Sequence, residues 1–242
     1  MRIGFFGGSF DPPHCGHITL AVVAANQFSL DRVLLAPVGV QPLKNGDPAT
    51  DFLHRYAMTA LAAQADPRLQ PSLLDAPLQD GRPNYTVDTL ARLQRSLQKK
   101  SQVPAQDGAE TSLFTLLGAD SFLGLRNWYQ PERLLALCNW IVASRPGYFE
   151  GHALATAVAS LPAGIQAEPV SDRTHGEYLR LRHADGSNTN VWFLPQMQED
   201  VSATALRAAI PAGAWNASLL PAPVAEYIRK TGLYDSSALV SH

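Results

Sequence analysis

The sequence predicts an α/β fold: a doubly wound parallel sheet with helices on both faces and a small C-terminal helical segment. Three observations lead there. Short, continuous apolar runs recur at Ile3 to Phe6, Val33 to Val38, Leu113 to Leu117 and Trp140 to Ala143, and runs of that length read as buried strands. Stretches with helical spacing of apolar residues separate them, which gives the strand–helix–strand alternation of a parallel sheet. The first strand ends in paired glycines just before a helix, and in open α/β sheets that crevice is where ligands bind.

Each element follows in order. Ile3 to Phe6 stops at Gly7 and Gly8, the chain turns at Pro12-Pro13, and Ile18, Leu20, Ala21, Val22, Ala24 and Ala25 mark the first helix. Val33 to Val38 is the second strand, as in a βαβ unit, and it runs into a loop, Gln41 to Pro48, too rich in Pro and Gly for regular structure. Thr50 or Asp51 caps a helix carrying Leu53, Tyr56, Ala57, Ala60 and Leu61 on one face. His54 on that helix is expected to face water, and Arg55 either to face water or to contact an anion. Leu69 to Leu74 is a weaker strand, placed at an edge or strand start by Pro71. After the polar loop Asp75 to Pro83, Asn84-Tyr85-Thr86 opens a helix with Thr86 as N-cap that runs to Lys99. Lys100 to Ser112 reads as a surface insertion.

Leu113 to Leu117 is the best buried strand, ended by Gly118, and Ala119-Asp120-Ser121 starts a short helix at another carboxyl-end loop. Trp128-Tyr129 precede Pro131, which sits in the first turn of a helix carrying Leu134, Leu135 and Leu137. Trp140 to Ala143 is a further parallel strand, ended by Ser144-Arg145-Pro146-Gly147. Residues 150 to 190 read as a helix plus a polar stretch whose part from Arg173 to Asn190 has no regular pattern. Val191 to Pro195 is the last strand. Ser202 caps a helix that includes Arg207, and Val224 to Tyr234 is a helix with a glycine C-cap. Residues 1–242 are expected to form one domain, with its C-terminal helical part at about 200–234.

The bulk numbers exclude several classes. A chain of 242 residues has ample length to bury a core. Its formal net charge of −2 argues against general nucleic-acid affinity, while allowing a small basic pocket for a phosphorylated ligand. The two cysteines, Cys15 and Cys138, make no disulfide framework and have no zinc-like spacing. No apolar run approaches membrane-spanning length, and a cytoplasmic enzyme is the simplest expectation. Nothing in the sequence indicates an oligomeric state.

The chemistry concentrates at residues 7 to 17. Backbone N–H groups freed at a helix start, aided by the helix dipole, form an anion site. His14 and His17, three residues apart, add donors along one helical edge. Near the other end, the Ser202 and Thr204 hydroxyls, the N–H groups of that helix start and Arg207 one turn on have the makings of a second phosphate grip.

Both stretches resemble signatures of the nucleotidylyltransferase superfamily. Gly8-Ser9-Phe10-Asp11-Pro12 with His14-Cys15-Gly16-His17 matches its Gly-Ser/Thr-Phe-Asp-Pro turn and His-x-Gly-His. Val201-Ser202-Ala203-Thr204-Ala205-Leu206-Arg207 is similar to its Ile-Ser-x-Thr-x-x-Arg, with valine for isoleucine. Three further stretches look like the bacterial nicotinate-mononucleotide adenylyltransferase family: Asn84-Tyr85-Thr86-Val87-Asp88-Thr89-Leu90, Gly118-Ala119-Asp120-Ser121 with Trp128, and Ser144-Arg145-Pro146-Gly147-Tyr148. With the Gly-Leu-Tyr ending, the resemblance covers nearly the whole chain, apart from insertions around 99 to 112 and 173 to 190.

The resemblance implies a Rossmann-like fold and one reaction: ATP plus nicotinate mononucleotide gives nicotinate adenine dinucleotide and pyrophosphate. It assigns His17 to the α-phosphate in the transition state and His14 to the ATP phosphates. Gly8, Ser9 and Gly16 belong to the ATP site, Phe10 packs its loop, and Asp11 fixes the turn. Ser202, Thr204 and Arg207 hold the β- and γ-phosphates. Mg²⁺ accompanies ATP and bridges phosphate oxygens mainly through water, because no pair of carboxylates here has ligand spacing. For the mononucleotide, Trp128 stacks on the pyridine ring, Tyr85 and Thr86 meet its carboxylate side, and Asp120 takes a ribose hydroxyl. Arg145 and Arg55 are candidates for its phosphate, and Lys44 for closing over phosphates. The alternatives are another transferase of the superfamily, such as phosphopantetheine adenylyltransferase or a cytidylyltransferase, and a catalytically silent nucleotide-binding sensor.

Overall fold

The computed structural model describes residues 1–42, 50–101, 111–144, 153–194, 201–211 and 215–235, without the side chains of residues 100, 101 and 153. Eight strands form one sheet: β1 (Arg2–Gly8), β2 (Arg32–Pro37), β3 (Leu69–Pro71), β4 (Ser112–Gly118), β5 (Asn139–Ala143), β6 (Gln166–Asp172), β7 (Gly176–Arg182) and β8 (Asn188–Leu194). Their spatial order is β3-β2-β1-β4-β5-β8-β7-β6. The run from β3 to β8 is parallel throughout, the Rossmann order in which the chain winds outward from β1 and then from β4. Pro71 stands on the edge strand β3, where its missing N–H leaves no ladder bond unmade.

The helices are α1 (Cys15–Gln27), α2 (Phe52–Ala63), α3 (Thr86–Ser101), α4 (Ala119–Leu123), α5 (Pro131–Ala136), α6 (Ala153–Ser160), α7 (Ala203–Ala209) and α8 (Ala222–Thr231). Side-chain alternation along the strands divides the core in two. Phe6, Ile141 and Leu35 join α1, α2, α7 and α8 on one face. Ile3, Phe5, Trp140 and Val142 join α3, α4, α5 and α6 on the other. The small C-terminal helices are therefore part of the covering of one sheet face, through Leu206, Val224, Ala225 and Ile228.

Four expectations need correction. The sheet is not wholly parallel: β6, β7 and β8 form an antiparallel meander that fills the stretch without a regular pattern. Its signals are Leu179 and Leu181 alternating inward and the Asp185-Gly186 turn, where Gly186 has φ +81°. Helix α2 buries Arg55, Met58, Thr59, Ala62 and Ala63, while Leu53 is 74% exposed, so the inward face is rotated from the one its apolar residues suggest. His54 is not simply solvated, since its Nδ1 lies 2.8 Å from the Tyr227 hydroxyl of α8. Thr86 is the first residue of α3 and not its cap; the carbonyl of Tyr85 receives the N–H groups of Asp88 and Thr89. The cap of α2 is Asp51, whose carboxylate accepts from the Leu53 N–H at 2.8 Å.

Candidate active site

A cleft of about 750 Å³ opens at the carboxyl ends of β1, β4 and β5, where the winding direction of the sheet reverses. Its floor is β1 from Phe5 to Gly8 and β4 from Thr115 to Gly118. One wall is the turn after β1 with the start of α1, the opposite wall is the start of α3 with residues 127 to 130, and α7 closes a third side.

The β1–α1 turn is built from inside out. Phe10 adopts a left-handed φ of +48°, which costs a non-glycine residue about 1–2 kcal/mol. Burying its ring, about 1.5–3 kcal/mol, offsets that cost. The ring lies 5.4 Å from Phe6 and 5.0 Å from His17, centroid to centroid, so the strained residue is also the bed on which His17 rests. His14 and His17 stack with centroids 3.7 Å apart. The backbone N–H of His14 donates to His17 Nδ1 at 3.1 Å, which requires a lone pair on Nδ1 and places the proton of the neutral ring on Nε2. His17 is thus a donor of defined direction lining the cleft.

The two ends of the chain meet at this turn. Arg207 Nη1 donates to the Asp11 carbonyl at 2.6 Å, and its Nη2 lies 3.4 Å from the Thr204 hydroxyl. Ser202 caps α7, its hydroxyl accepting from the Ala205 N–H at 3.4 Å. Ser202, Thr204 and Arg207 line the cleft together with Gly8, Ser9, Phe10, His14, Gly16 and His17. Asp11 is 4% exposed; its carboxylate accepts from the Tyr234 hydroxyl at 2.6 Å and from the Thr50 N–H at 3.1 Å.

Of the residues assigned to the mononucleotide, Tyr85, Thr86, Asp120 and Trp128 line the opposite side of the cleft. Lys44 and Arg145 lie outside the described residues. Arg55 does not line the cleft, which corrects its assignment to a ligand phosphate. It is 2% exposed, and its guanidinium donates to the carbonyls of Thr50, Ser9, Val38 and Gly39 at 2.7 to 3.3 Å. Those bonds tie the loop after β1 to the loop after β2 and to the start of α2. Burial pulls its pKa down, opposed by the nearby Asp11 carboxylate, and an arginine remains a cation under such pressure.

Several residues in the cleft lining, and Gly39 beside it, carried no assigned role from sequence. Asn84 bridges two loops, accepting from the Val40 N–H and donating to the Ala76 carbonyl, both at 2.9 Å. Gly39 passes so close that a Cβ there would sit 2.4 Å from the Pro77 nitrogen, which makes glycine obligatory. Asp75 accepts from the Thr89 hydroxyl at 2.6 Å; burial pushes its carboxyl above the ordinary range, with Thr89 and Arg92 opposing. Tyr129 packs on Tyr85 with centroids 4.4 Å apart, widening the aromatic wall beside Trp128. The stretch Asn84-Tyr85-Thr86 offered a signal for Asn84, whereas the loop-to-loop approach of Gly39 left none in one dimension.

The sequence model of the cytidylyltransferase-like family matches residues 5–209, the class of nucleotide-handling protein that such a sheet and cleft define. A probable nicotinate-nucleotide adenylyltransferase of Desulfatibacillum aliphaticivorans is 33% identical over 234 residues, covering 97% of this chain and 100% of the relative. One from Aeromonas hydrophila is 35% identical, covering 96% of each. The chain belongs to the cytidylyltransferase-like family and, within it, to the nicotinate-nucleotide adenylyltransferases. The fold is shared with a solved nicotinic acid mononucleotide adenylyltransferase of Plasmodium falciparum, with a TM-score of 0.65, 15% identity and 96% of both chains covered.

Proposed function

We propose that this protein transfers the adenylyl group of ATP to nicotinate mononucleotide, giving nicotinate adenine dinucleotide and pyrophosphate, a step in NAD biosynthesis. The observation that carries the reading is the junction of the two signatures, Arg207 on the Asp11 carbonyl across 196 residues of sequence, beside the stacked imidazoles. In this reaction the mononucleotide phosphate attacks the α-phosphate of ATP in line, and pyrophosphate departs. The nucleophile belongs to the substrate, so the protein has to position both phosphates and stabilise charge as it develops.

On this reading His17 donates from Nε2 to the α-phosphate, and His14, Ser202, Thr204 and Arg207 take the β- and γ-phosphates. Gly8, Ser9 and Gly16 let the triphosphate approach the backbone at the start of α1. Trp128 stacks on the pyridine ring and Asp120 takes a ribose hydroxyl. Tyr85 and Thr86 present the N-terminus of the sixteen-residue α3, whose dipole favours a carboxylate over a neutral amide. Magnesium enters as part of the nucleotide substrate. The Asp11 carboxylate of the first signature is engaged by the Tyr234 hydroxyl and the Thr50 N–H, which fits a role in holding the turn. Lys44 and Arg145 remain proposed phosphate contacts. Among the described residues no helix is long and apolar enough to cross a membrane. A chain with only two cysteines, Cys15 and Cys138, suits a reducing compartment, and we place the reaction in the cytoplasm.

The test is incubation with ATP, Mg²⁺ and nicotinate or nicotinamide mononucleotide side by side, with pyrophosphate and dinucleotide measured. The acid is expected to be preferred by about twofold to thirtyfold in kcat/KM, the scale a helix terminus supplies. Pyrophosphate release with phosphopantetheine and none with nicotinate mononucleotide would overturn the assignment.

A further inference from the structure

We propose that Tyr234 is a positioning residue for the triphosphate site, its hydroxyl holding Asp11 so that the Asp11 carbonyl can orient Arg207. The inference rests on the reading of the cleft as an ATP site. Asp11 is a junction of three elements: Tyr234 from the end of α8 donates to Oδ1 at 2.6 Å, the Thr50 N–H at the start of α2 donates to Oδ2 at 3.1 Å, and Arg207 of α7 donates to the main-chain carbonyl at 2.6 Å. A carboxylate this buried has little water to rely on, so its donors decide where it sits, and a short O–H···O⁻ bond is the strongest of them.

The backbone is bent to deliver that hydroxyl. Helix α8 ends at Gly232 with φ +63°, and Tyr234 enters the left-handed region again at +69°, a conformation a tyrosine seldom holds. Strain of this kind persists where the surroundings impose it, and it gathers at functional sites. Burial first, and the Asp11 carboxylate second, push the phenol pKa upward, so the hydroxyl keeps its proton and remains a donor. A purely apolar anchor would need only the ring. The hydroxyl reaches a residue of the first signature from beyond the end of the family match, which stops at residue 209.

The test compares wild type, Tyr234→Phe, Asp11→Asn and the double variant, by calorimetric titration with a non-hydrolysable ATP analogue and by steady-state kinetics. Tyr234→Phe is expected to weaken analogue binding and raise the KM for ATP about tenfold, the scale of one hydrogen bond to a charged group, with the KM for nicotinate mononucleotide changed less than twofold. The double variant is expected to be no worse than Asp11→Asn, because the hydroxyl acts only through that carboxylate. Far-UV circular dichroism verifies that each variant is folded. Unchanged ATP binding in folded Tyr234→Phe, or effects of the two substitutions that multiply, would overturn the proposal. Wild type that binds the analogue without turning over nicotinate mononucleotide would overturn only the choice of acceptor, and the Tyr234 comparison is then read from binding. Wild type that binds no ATP analogue would overturn both.

Discussion

His17 illustrates how one side chain becomes a directed donor. Its Nδ1 is committed to the His14 N–H, its ring rests on Phe10, and its remaining polar edge belongs to the cleft. Because the proposed role is electrostatic and the ring is only partly buried, His17→Ala is expected to lower kcat by at least about a hundredfold, the scale seen when a single preorganised donor is removed. Its melting temperature should stay within a few degrees of wild type. Near-normal turnover, measured as pyrophosphate release at saturating substrates, would remove His17 from the mechanism. The imidazoles, the glycines and the Ser202-to-Arg207 stretch were readable in the sequence because their spacing is local, one turn of chain each. The use of Asp11 was readable only in outline: fixing the turn is what its carboxylate does, but the partner that fixes it comes from 223 residues away.

At the scale of elements, α2 is the instructive case. Its apolar residues point to a face containing Leu53, yet the helix turns Arg55 and Met58 inward. Four charge-assisted bonds to loop carbonyls decide this, each worth about 1.5–3 kcal/mol, against a desolvation cost of several kcal/mol for the guanidinium. Arg55→Met keeps the volume and strips the donors from buried carbonyls of three segments. It is expected to destabilise the protein by about 3 kcal/mol or more, and to loosen the loops that carry Ser9 and Gly39. Denaturant titration checks the first, and a loss of less than about 1 kcal/mol would show that water replaces the guanidinium. The antiparallel meander was hidden for a related reason. Strands β6 and β7 leave much of their length exposed, so they lack the continuous apolar runs that reveal β1, β4 and β5.

For the molecule as a whole, the sheet order fixes where the chemistry sits, and the meander extends the sheet beyond β8 away from the cleft. That extension carries a pH dependence of its own. His183 is buried at its end, with Nε2 2.8 Å from the Thr189 hydroxyl, which donates to the Leu135 carbonyl of α5 at 3.0 Å. Burial pulls the His183 pKa below 6.5, with Asp185 opposing. Between that unfolded value and the lower folded one, the unfolded chain binds more protons, so stability rises with pH there and is lost as pH falls through the window. The melting temperature of His183→Gln should accordingly depend less on pH below 6.5 than that of wild type. Parallel melting curves of the two from neutral to mildly acidic pH would exclude this role for His183.

The sequence by itself determined the α/β class, the parallel core strands and both signatures, whose resemblance to the nucleotidylyltransferase superfamily implied the chemistry. All of these depend on patterns that repeat or close within a few residues. Only the tertiary structure decided that Arg55 braces loops instead of meeting a ligand, that Gly39 must have no side chain, and that the final tyrosine of α8's tail latches the first signature. Each of these is a contact between segments far apart in sequence, set by which backbone groups are buried and need a partner, and no local pattern of residues records that need.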